Sequence, residues 1–201
     1  MDNVFALKVT STGQCSVLNR YLGVLNNGKI KVRGLEVRRS DTPPFIFNAQ
    51  TEMINVLAKA NNSTELYQQI PEVLKVLRQY RRRLLDNEVP MSDLIVTKHM
   101  SKHFKQYKQQ VSQVIAAQQL VKQGVDLHAG TNVKFLFTDA NNKRYERRVK
   151  AAQLIEKSIN PDIKKYLLLL YSSTANLLSF AGYTTQKVYD AIKRQQQNCL
   201  M

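Results

Sequence analysis

Cations carry most of the chemistry that this sequence offers. Between Asp93 and Asp126 stand Lys98, Lys102, Lys105, Lys108 and Lys122 with no acidic residue, a local charge of +5. The first four recur every three or four residues, so a helical stretch would array several on one side. His99, Phe104 and Tyr107 are interleaved with them. Such a face suits a phosphate backbone, which is held by Lys, hydroxyl and backbone N–H groups rather than read by base. The plainer alternative is an ordinary solvated face. A second set, Lys29, Lys31, Arg33, Arg38 and Arg39, lies near the start. Its plainer alternative is a charged strand edge that discourages aggregation. Arg78, Arg81, Arg82 and Arg83 would spread around a helix, so at most two or three can meet one ligand. Lys143, Arg144, Arg147, Arg148 and Lys150 form a last cluster; in a strand Arg144 and Arg148 share one face and Arg147 takes the other. A surface role is the stronger reading for that group.

Acid–base and metal chemistry have less to work with. His99 and His103 stand four residues apart and would share a helix face, yet no Glu or Cys adjoins them to complete a zinc site. No Asp-x-Asp occurs anywhere in the chain, so the paired carboxylates that two-metal phosphoryl transfer requires are missing. Cys15 and Cys199 lie at opposite ends without metal-like spacing and read as incidental thiols in a reducing compartment. Lys and Arg number 30 against 15 Asp and Glu, a net charge of +15 over 201 residues. That balance favours polyanionic partners, nucleic acid ahead of an anionic membrane. Hydrophobic content of 43% is enough for a packed core. No apolar run reaches the ~20 residues of a bilayer span, and the start lacks the pattern of a secretory signal.

The elements that must position these cations can be read from periodicity. Asn26-Asn27-Gly28 between two alternating runs predicts a hairpin with a type I′ turn. The apolar side chains of its second strand are Ile30 and Val32, extending to Leu35 and Val37. Val4 to Val9 predicts a short strand, followed by a polar turn from Thr10 to Gly13. Thr42-Pro43-Pro44 separates the hairpin from a mainly helical stretch. Ile46 to Lys59 predicts a helix with Met53, Val56 and Leu57 on one face. Asn62 with Glu65 predicts a capping box, and Pro71 a break or kink. Val73, Val76, Leu77, Tyr80 and Leu84 trace one face of an amphipathic helix.

Leu94 to Thr97 is a brief β-branched run, and Val111 to Gln123 a helix stopped by Gly124. Val133 to Thr138 and Lys143 to Val149 predict a second hairpin around Asp139-Ala140-Asn141-Asn142. Asn160-Pro161 predicts a helix start. The run Leu167 to Leu170, apolar on every side, predicts a central helix. Gly182 ends it, Thr184 caps a last helix to about Arg194, and Gln195 to Asn198 reads as a frayed tail.

The order of residues carries further information. Arg20-Tyr21-x-Gly23, the turn, then Lys31-Val32-Arg33-Gly34-x-Glu36-x-x-Arg39-x-Asp41 resembles the palm–thumb junction of family B DNA polymerases of the archaeal and bacterial polymerase II type. In that family a Lys-x-Tyr element lies beside the primer strand; Tyr21 matches its tyrosine, while Asn19 replaces its lysine. Asn87-Glu88-Val89-Pro90-Met91-Ser92-Asp93-Leu94, running on to Lys98-His99-Met100-Ser101-Lys102, is similar to the family's Gly-x-Val-Pro-x-x-Asp-Leu-x-x-x-Lys-x-Leu-Ser-Lys. Asn87 and Met100 depart from it. Tyr107-Lys108 and Ser112-Gln113-Val114-Ile115-Ala116-Ala117 resemble Tyr-Lys and Pro-His-Val-x-Ala-Ala, with Ser112 and Gln113 in place of Pro-His. Lys165-Tyr166 and Gly182-Tyr183 fall where the family closes its thumb. The resemblance covers roughly residues 17–190.

It implies an α+β fold: a basal β-hairpin or small sheet, a mainly helical thumb body and a second hairpin. It implies a palm end over residues 1–20, a thumb over 21–190 (hairpin 17–40, helical body 45–190) and a polar tail over 191–201. The implied function is to grip duplex primer–template DNA, as the small chain of a split polymerase or as a fragment of one. The expected DNA-binding residues are Arg20, Tyr21, Lys31, Arg33, Arg38, Arg39, Lys98, Ser101, Lys102, Lys105, Tyr107 and Lys108, with no catalytic or metal-binding residue. The family's Asp-x-x-Ser-Leu-Tyr-Pro and Asp-Thr-Asp motifs are absent, so the chain is expected to be inactive alone. The Mg²⁺ ions belong to a large partner chain carrying palm and fingers. A sliding clamp is a further candidate partner, no membrane is involved, and the expected location is the cytoplasm, with the nucleoid. Two alternatives stand beside this reading: a stand-alone nucleic-acid-binding module, and a structural subunit docking an acidic protein.

Overall fold

In a computed structural model of the chain, residues 5–11, 15–25 and 27–198 are described, with side chains described over 21–25 and 27–193. Val4, part of the turn expected over Thr10 to Gly13, Asn26 and Cys199 lie outside the described residues. The fold is mixed α and β, as expected. Its strands are β1 (Phe5–Ser11), β2 (Cys15–Val24), β3 (Ile30–Arg33), β4 (Val96–His99), β5 (Asn132–Phe137) and β6 (Val149–Ala151). Its helices are α1 (Pro44–Leu57), α2 (Ser63–Gln68), α3 (Ile70–Leu85), α4 (Met91–Leu94), α5 (Ser112–Lys122), α6 (Ile163–Leu177) and α7 (Thr185–Asn198). None of the described helices is long and apolar enough to cross a membrane. The chain divides into two compact units. One gathers the described residues up to Arg39, Ile46–Asp86 and those from Leu167 onward; the other gathers Ser40–Phe45 and Asn87–Tyr166.

In the first unit β1, β2 and β3 form an antiparallel sheet in that order. The basic hairpin is present, with Val24 opposite Ile30 and Tyr21 opposite Arg33. Its turn differs from type I′, which needs positive φ at both Asn27 and Gly28. Gly28 alone of the two has it, at 77°. The Gly28 N–H donates to the Leu25 carbonyl (2.8 Å) and the Leu25 N–H to the Lys29 carbonyl (2.9 Å), the pattern of a three-residue loop ending in a left-handed residue. The second strand is also shorter than expected, ending at Arg33. Gly34 turns the chain at φ 73°, a conformation in which a Cβ would meet the following carbonyl. Leu35 then plugs the core at 1% exposure, and Glu36–Arg38 form a single 3₁₀ turn.

Pro44 opens α1, where the missing N–H costs nothing. Ile46, Ala49, Met53, Ile54 and Leu57 are buried along it. Pro71 separates α2 from α3 by taking the second position of α3, and the expected face of α3 is buried throughout. The capping box forms: the Glu65 N–H donates to Asn62 Oδ1 (2.9 Å), and Glu65 accepts from Asn62 Nδ2 (2.8 Å) and the Asn61 N–H (2.8 Å). The leucine run of α6 is less central than expected: Leu170 is fully buried, but Leu168 is 49% exposed. The buried polar residues Ser173 and Thr174 return their hydroxyls to the Leu170 carbonyl, both at 2.9 Å. The Lys187 N–H meets Thr184 Oγ1 (3.2 Å) at the start of α7, which continues past Arg194 through Asn198.

The second unit is a sheet in the order β4, β5, β6. The expected hairpin exists, but its second strand begins only at Val149, where the sequence reading ended it. Residues 143–148 instead carry a 3₁₀ turn over Tyr145–Arg147, so Arg144 and Arg148 do not share a strand face. Val96, Val133, Phe135, Val149 and Ala151 pack against Ile115, Ala116, Ala117 and Leu120 of α5. Gln119 covers the outer edge of β6, donating Nε2 to the Val149 carbonyl (2.8 Å) and accepting the Ala151 N–H at Oε1 (2.8 Å). Tyr166, fully buried, donates its hydroxyl to the Leu94 carbonyl (2.7 Å) and accepts the Phe137 N–H (3.0 Å). Burial pushes its phenol well above the ordinary tyrosine range. Asp162, one residue after Pro161, caps α6 by accepting the Lys165 N–H (3.0 Å).

Candidate nucleic-acid interface

The lysine-bearing stretch of the second unit is not a helix. Lys98 lies in β4, Lys105 in a 3₁₀ turn over Phe104–Gln106, and Lys102 and Lys108 in bends. The helical array expected from their spacing therefore does not form. Anchors set the spacing instead. Met100 is buried and pairs with the next loop, its N–H donating to the Thr131 carbonyl (3.0 Å) and its carbonyl accepting the Gly130 N–H (2.7 Å). Phe104 and Tyr107 pack on the sheet's core. Apolar side chains three residues apart pin the loop to the core. Between and beyond them Ser101, Lys102, Lys105 and Lys108 are exposed. His103 Nδ1 accepts the Lys105 N–H (3.3 Å), and the Ser101 hydroxyl lies 3.5 Å from that of Tyr107.

Lys98 differs from its neighbours. Its Nζ lies 2.7 Å from Asp41 Oδ2, and the two side chains are only 38% and 19% exposed. Asp41 is more than fifty positions upstream, so the acid-free stretch of sequence is not acid-free in space. His99 and His103 do not share a helix face: His99 Nδ1 lies 3.2 Å from Asn132 Oδ1, while His103 serves the local turn. Among the described residues no group of three His, Cys, Asp or Glu side chains could hold a metal ion.

The first unit builds a separate basic surface. Lys31 and Arg33 alternate with half-buried Ile30 and Val32, so both cations point to the exposed face of β3. Tyr21 is half-buried opposite Arg33. Arg20 lies in β2 with its side chain outside the described residues. Arg38 and Arg39 are exposed at the end of the 3₁₀ turn, and the Arg39 N–H closes that turn on the Glu36 carbonyl (2.9 Å). The sequence reading missed what fixes this turn. Gln50 of α1 accepts the Val37 N–H at Oε1 (2.9 Å) and donates Nε2 to Glu36 Oε2 (2.6 Å) and to the Ser173 carbonyl (3.0 Å). Asn176 donates to the other Glu36 carboxylate oxygen. A signal was available: Gln50 occupies a core phase of α1, between Ile46 and Met53, where an unpartnered amide would be costly.

Several other cations are engaged within the protein. Arg81 donates Nε to the Tyr171 hydroxyl (3.0 Å), Arg82 pairs with Asp86 (3.3 Å), and Arg83 lies 5.3 Å from the Tyr80 ring centroid. Arg148 donates to the Asn142 carbonyl (2.7 Å) and stacks 4.5 Å from the Tyr145 ring centroid. Lys143, Arg144 and Arg147 are exposed.

Each unit thus combines helices with a three-stranded antiparallel sheet and displays lysines and arginines on core-anchored turns or strands. The chain matches the family model for DNA polymerase family B over residues 16–180; it belongs to that family. It is 23% identical over 148 residues to a DNA polymerase of Thermococcus sp. (strain 9oN-7), a match covering 74% of this chain and 18% of that protein. A DNA polymerase of Thermococcus kodakarensis is 25% identical over 130 residues, covering 65% of this chain and 7% of the relative. The solved family B DNA polymerase of Pyrobaculum calidifontis shares the fold with a TM-score of 0.63 at 23% identity, over 81% of this chain and 20% of that one. The chain therefore spans less than a fifth of the length of these curated relatives.

Proposed function

We propose that this chain is the thumb portion of a family B DNA polymerase and binds duplex primer–template DNA through its phosphates. In this reading residues 1–20 end the palm and 21–190 form the thumb. The chain acts as the small chain of a split enzyme or is a fragment of one. The observation that carries the reading is the placement of Lys31, Arg33, Arg38, Lys102, Lys105 and Lys108. All are exposed on backbone anchored to a core, within the stretch that matches the family. Phosphates reward this arrangement because each neutralised charge releases condensed counterions, whatever the base sequence. Ser101 and Tyr107 add hydroxyls of the kind that position a backbone.

Chemistry would come from a partner carrying palm and fingers. In this reading the Mg²⁺ ions, which require clustered carboxylates, are held by that partner. A cytoplasmic, nucleoid-associated place follows from the proposed ligand. Fluorescence titration against a random-sequence duplex tests the reading. If ~4–6 phosphates are neutralised, log affinity should fall against log salt with a slope of about −4 to −5, equal for scrambled sequences. No binding at low salt would refute it. Primer extension by the chain with Mg²⁺ alone would refute the division of labour, as would a mixture no better than the large partner.

A further inference from the structure

We propose that the turn over residues 143–148 is a stacking platform for single-stranded DNA, with an unpaired base on Tyr145 and its phosphates on Lys143, Arg144 and Arg147. These residues lie outside the set assigned to duplex DNA, so the inference goes beyond that reading and does not depend on it. Six consecutive residues, Lys-Arg-Tyr-Glu-Arg-Arg, hold four cations, one acid and one aromatic ring. Tyr145 is 48% exposed, although the Arg148 guanidinium lies over its ring, 4.5 Å from the centroid. That exposure therefore falls on the part of the side chain that Arg148 leaves uncovered. Lys143, Arg144 and Arg147 are exposed as well. Among the described residues none of the three is paired with an acid.

The backbone beneath the ring is held at three successive carbonyls. That of Tyr145 accepts the Arg148 N–H (3.0 Å), that of Glu146 accepts Gln119 Nε2 of α5 (3.0 Å), and that of Arg147 accepts the Thr138 hydroxyl (2.7 Å). Asn142 Oδ1 takes the Arg144 N–H (2.9 Å), and the Asn142 carbonyl takes Arg148 Nε (2.7 Å). Arg148 is thus fastened to the backbone while its guanidinium supports the ring. A ring already ordered has little freedom left to lose when a base meets it. Cations alone would accept the phosphates of any nucleic acid. An exposed ring among them adds a partner for the face of a base, which bases stacked inside a duplex do not offer. Such stacking tolerates any sequence, since every base has a π-face. A ring that only covered Arg148 would not need cations both before and after it.

The test titrates the full chain with an oligothymidylate, with an abasic strand of equal length and with a random-sequence duplex. Tyr145→Leu should weaken oligothymidylate binding about tenfold and leave the other two unchanged, while Tyr145→Phe should keep wild-type affinity for all three. Lys143→Ala, Arg144→Ala and Arg147→Ala together should lower the salt slope for oligothymidylate by about 2, at ~0.7 per phosphate of a single strand. The chain has no Trp, so Tyr145→Trp puts a lone indole at the site. Its emission should be quenched by oligothymidylate and not by the abasic strand. Urea unfolding checks that each variant folds, and the indole decides the matter if Tyr145→Leu does not. A folded Tyr145→Leu variant that binds oligothymidylate like the wild type overturns the inference. So does an equal loss on the abasic strand, an unchanged slope in the folded triple variant, or indole emission that ignores oligothymidylate. Wild-type protein that fails to bind duplex removes the duplex reading and leaves this one standing.

Discussion

Replacing Lys102, Lys105 and Lys108 together by Ala tests the phosphate contacts proposed for these lysines against Lys98, which is already engaged. All three are exposed, on a loop whose fold depends on Met100, Phe104 and Tyr107 rather than on the lysines. At ~0.9 per neutralised phosphate, three contacts contribute about 2.7 to the salt slope. Over a fourfold rise in salt that difference amounts to about a fortyfold change in the ratio of wild-type to variant affinity. Stability should hold, since exposed substitutions usually stay within about ±0.5 kcal/mol each. Lys98→Ala should behave in the opposite way. Its ammonium is 2.7 Å from Asp41, so the pair presents little net charge to a phosphate and the slope should move by less than about half a unit. The loss of a partly buried ion pair should instead cost up to about 1 kcal/mol. Fluorescence titrations over a salt series give the slopes, and urea unfolding gives the stabilities. A folded triple variant with an unchanged slope would refute the reasoning. So would a Lys98→Ala variant that lowers the slope as much per residue as the triple.

Two further predictions concern stability. Tyr166→Phe removes the donor to the Leu94 carbonyl and the acceptor for the Phe137 N–H, so urea unfolding should report a loss of about 2–4 kcal/mol. Burial raises the folded-state pKa of Tyr166. Its share of stability is therefore complete below pH ~10, where the unfolded phenol is still neutral, and declines as pH rises past that; Tyr166→Phe should lose this alkaline decline. Asn62→Ala should cost about 1 kcal/mol by thermal unfolding, the usual value of an N-cap. Bonds from Asn61, backbone first, hold the Glu65 carboxyl below its ordinary value. The stabilisation from Glu65 is therefore present at neutral pH and disappears as pH falls through that lowered value.

Elements whose apolar side chains follow one period were legible. The face of α3, the stop of α5 before Gly124 and the hairpin of β2 and β3 needed only local information. Errors clustered where a turn or a tertiary contact overrides an apolar alternation. The second strand of the basic hairpin reads on through Val37, yet Gly34 and the burial of Leu35 end it at Arg33. The stretch 143–148 alternates like a strand, but Arg148 bonds back to the Asn142 carbonyl and the turn over 145–147 takes its place. The pairing of β4 with β5 joins residues 33 to 39 positions apart, which no short-range rule can see. For the candidate interface, residue types and exposure were legible in the sequence. The partners were not: nothing at short range joins Asp41 to Lys98, and the core phase of Gln50 in α1 does not say which turn its amide holds.

The two basic segments, read separately, share one construction, and it explains why periodicity misjudged both. In each, an apolar side chain enters a core and cations flank it on irregular backbone: Leu35 before Arg38 and Arg39, Phe104 and Tyr107 around Lys105 and Lys108. A helix would project cations at 3.6 residues per turn, a spacing fixed by backbone geometry. A pinned loop projects them wherever the anchors leave off, so three-residue gaps between lysines record gaps between anchors. The physical difference matters for a ligand with charges at fixed intervals. Lysines on an isolated flexible segment would lose conformational freedom with each contact. Anchored turns have already lost most of it on folding, which leaves more of the counterion-release energy for binding. On this argument the anchors are as much a part of the proposed interface as the cations. Loosening an anchor should weaken duplex binding at every sequence, without removing a single charge.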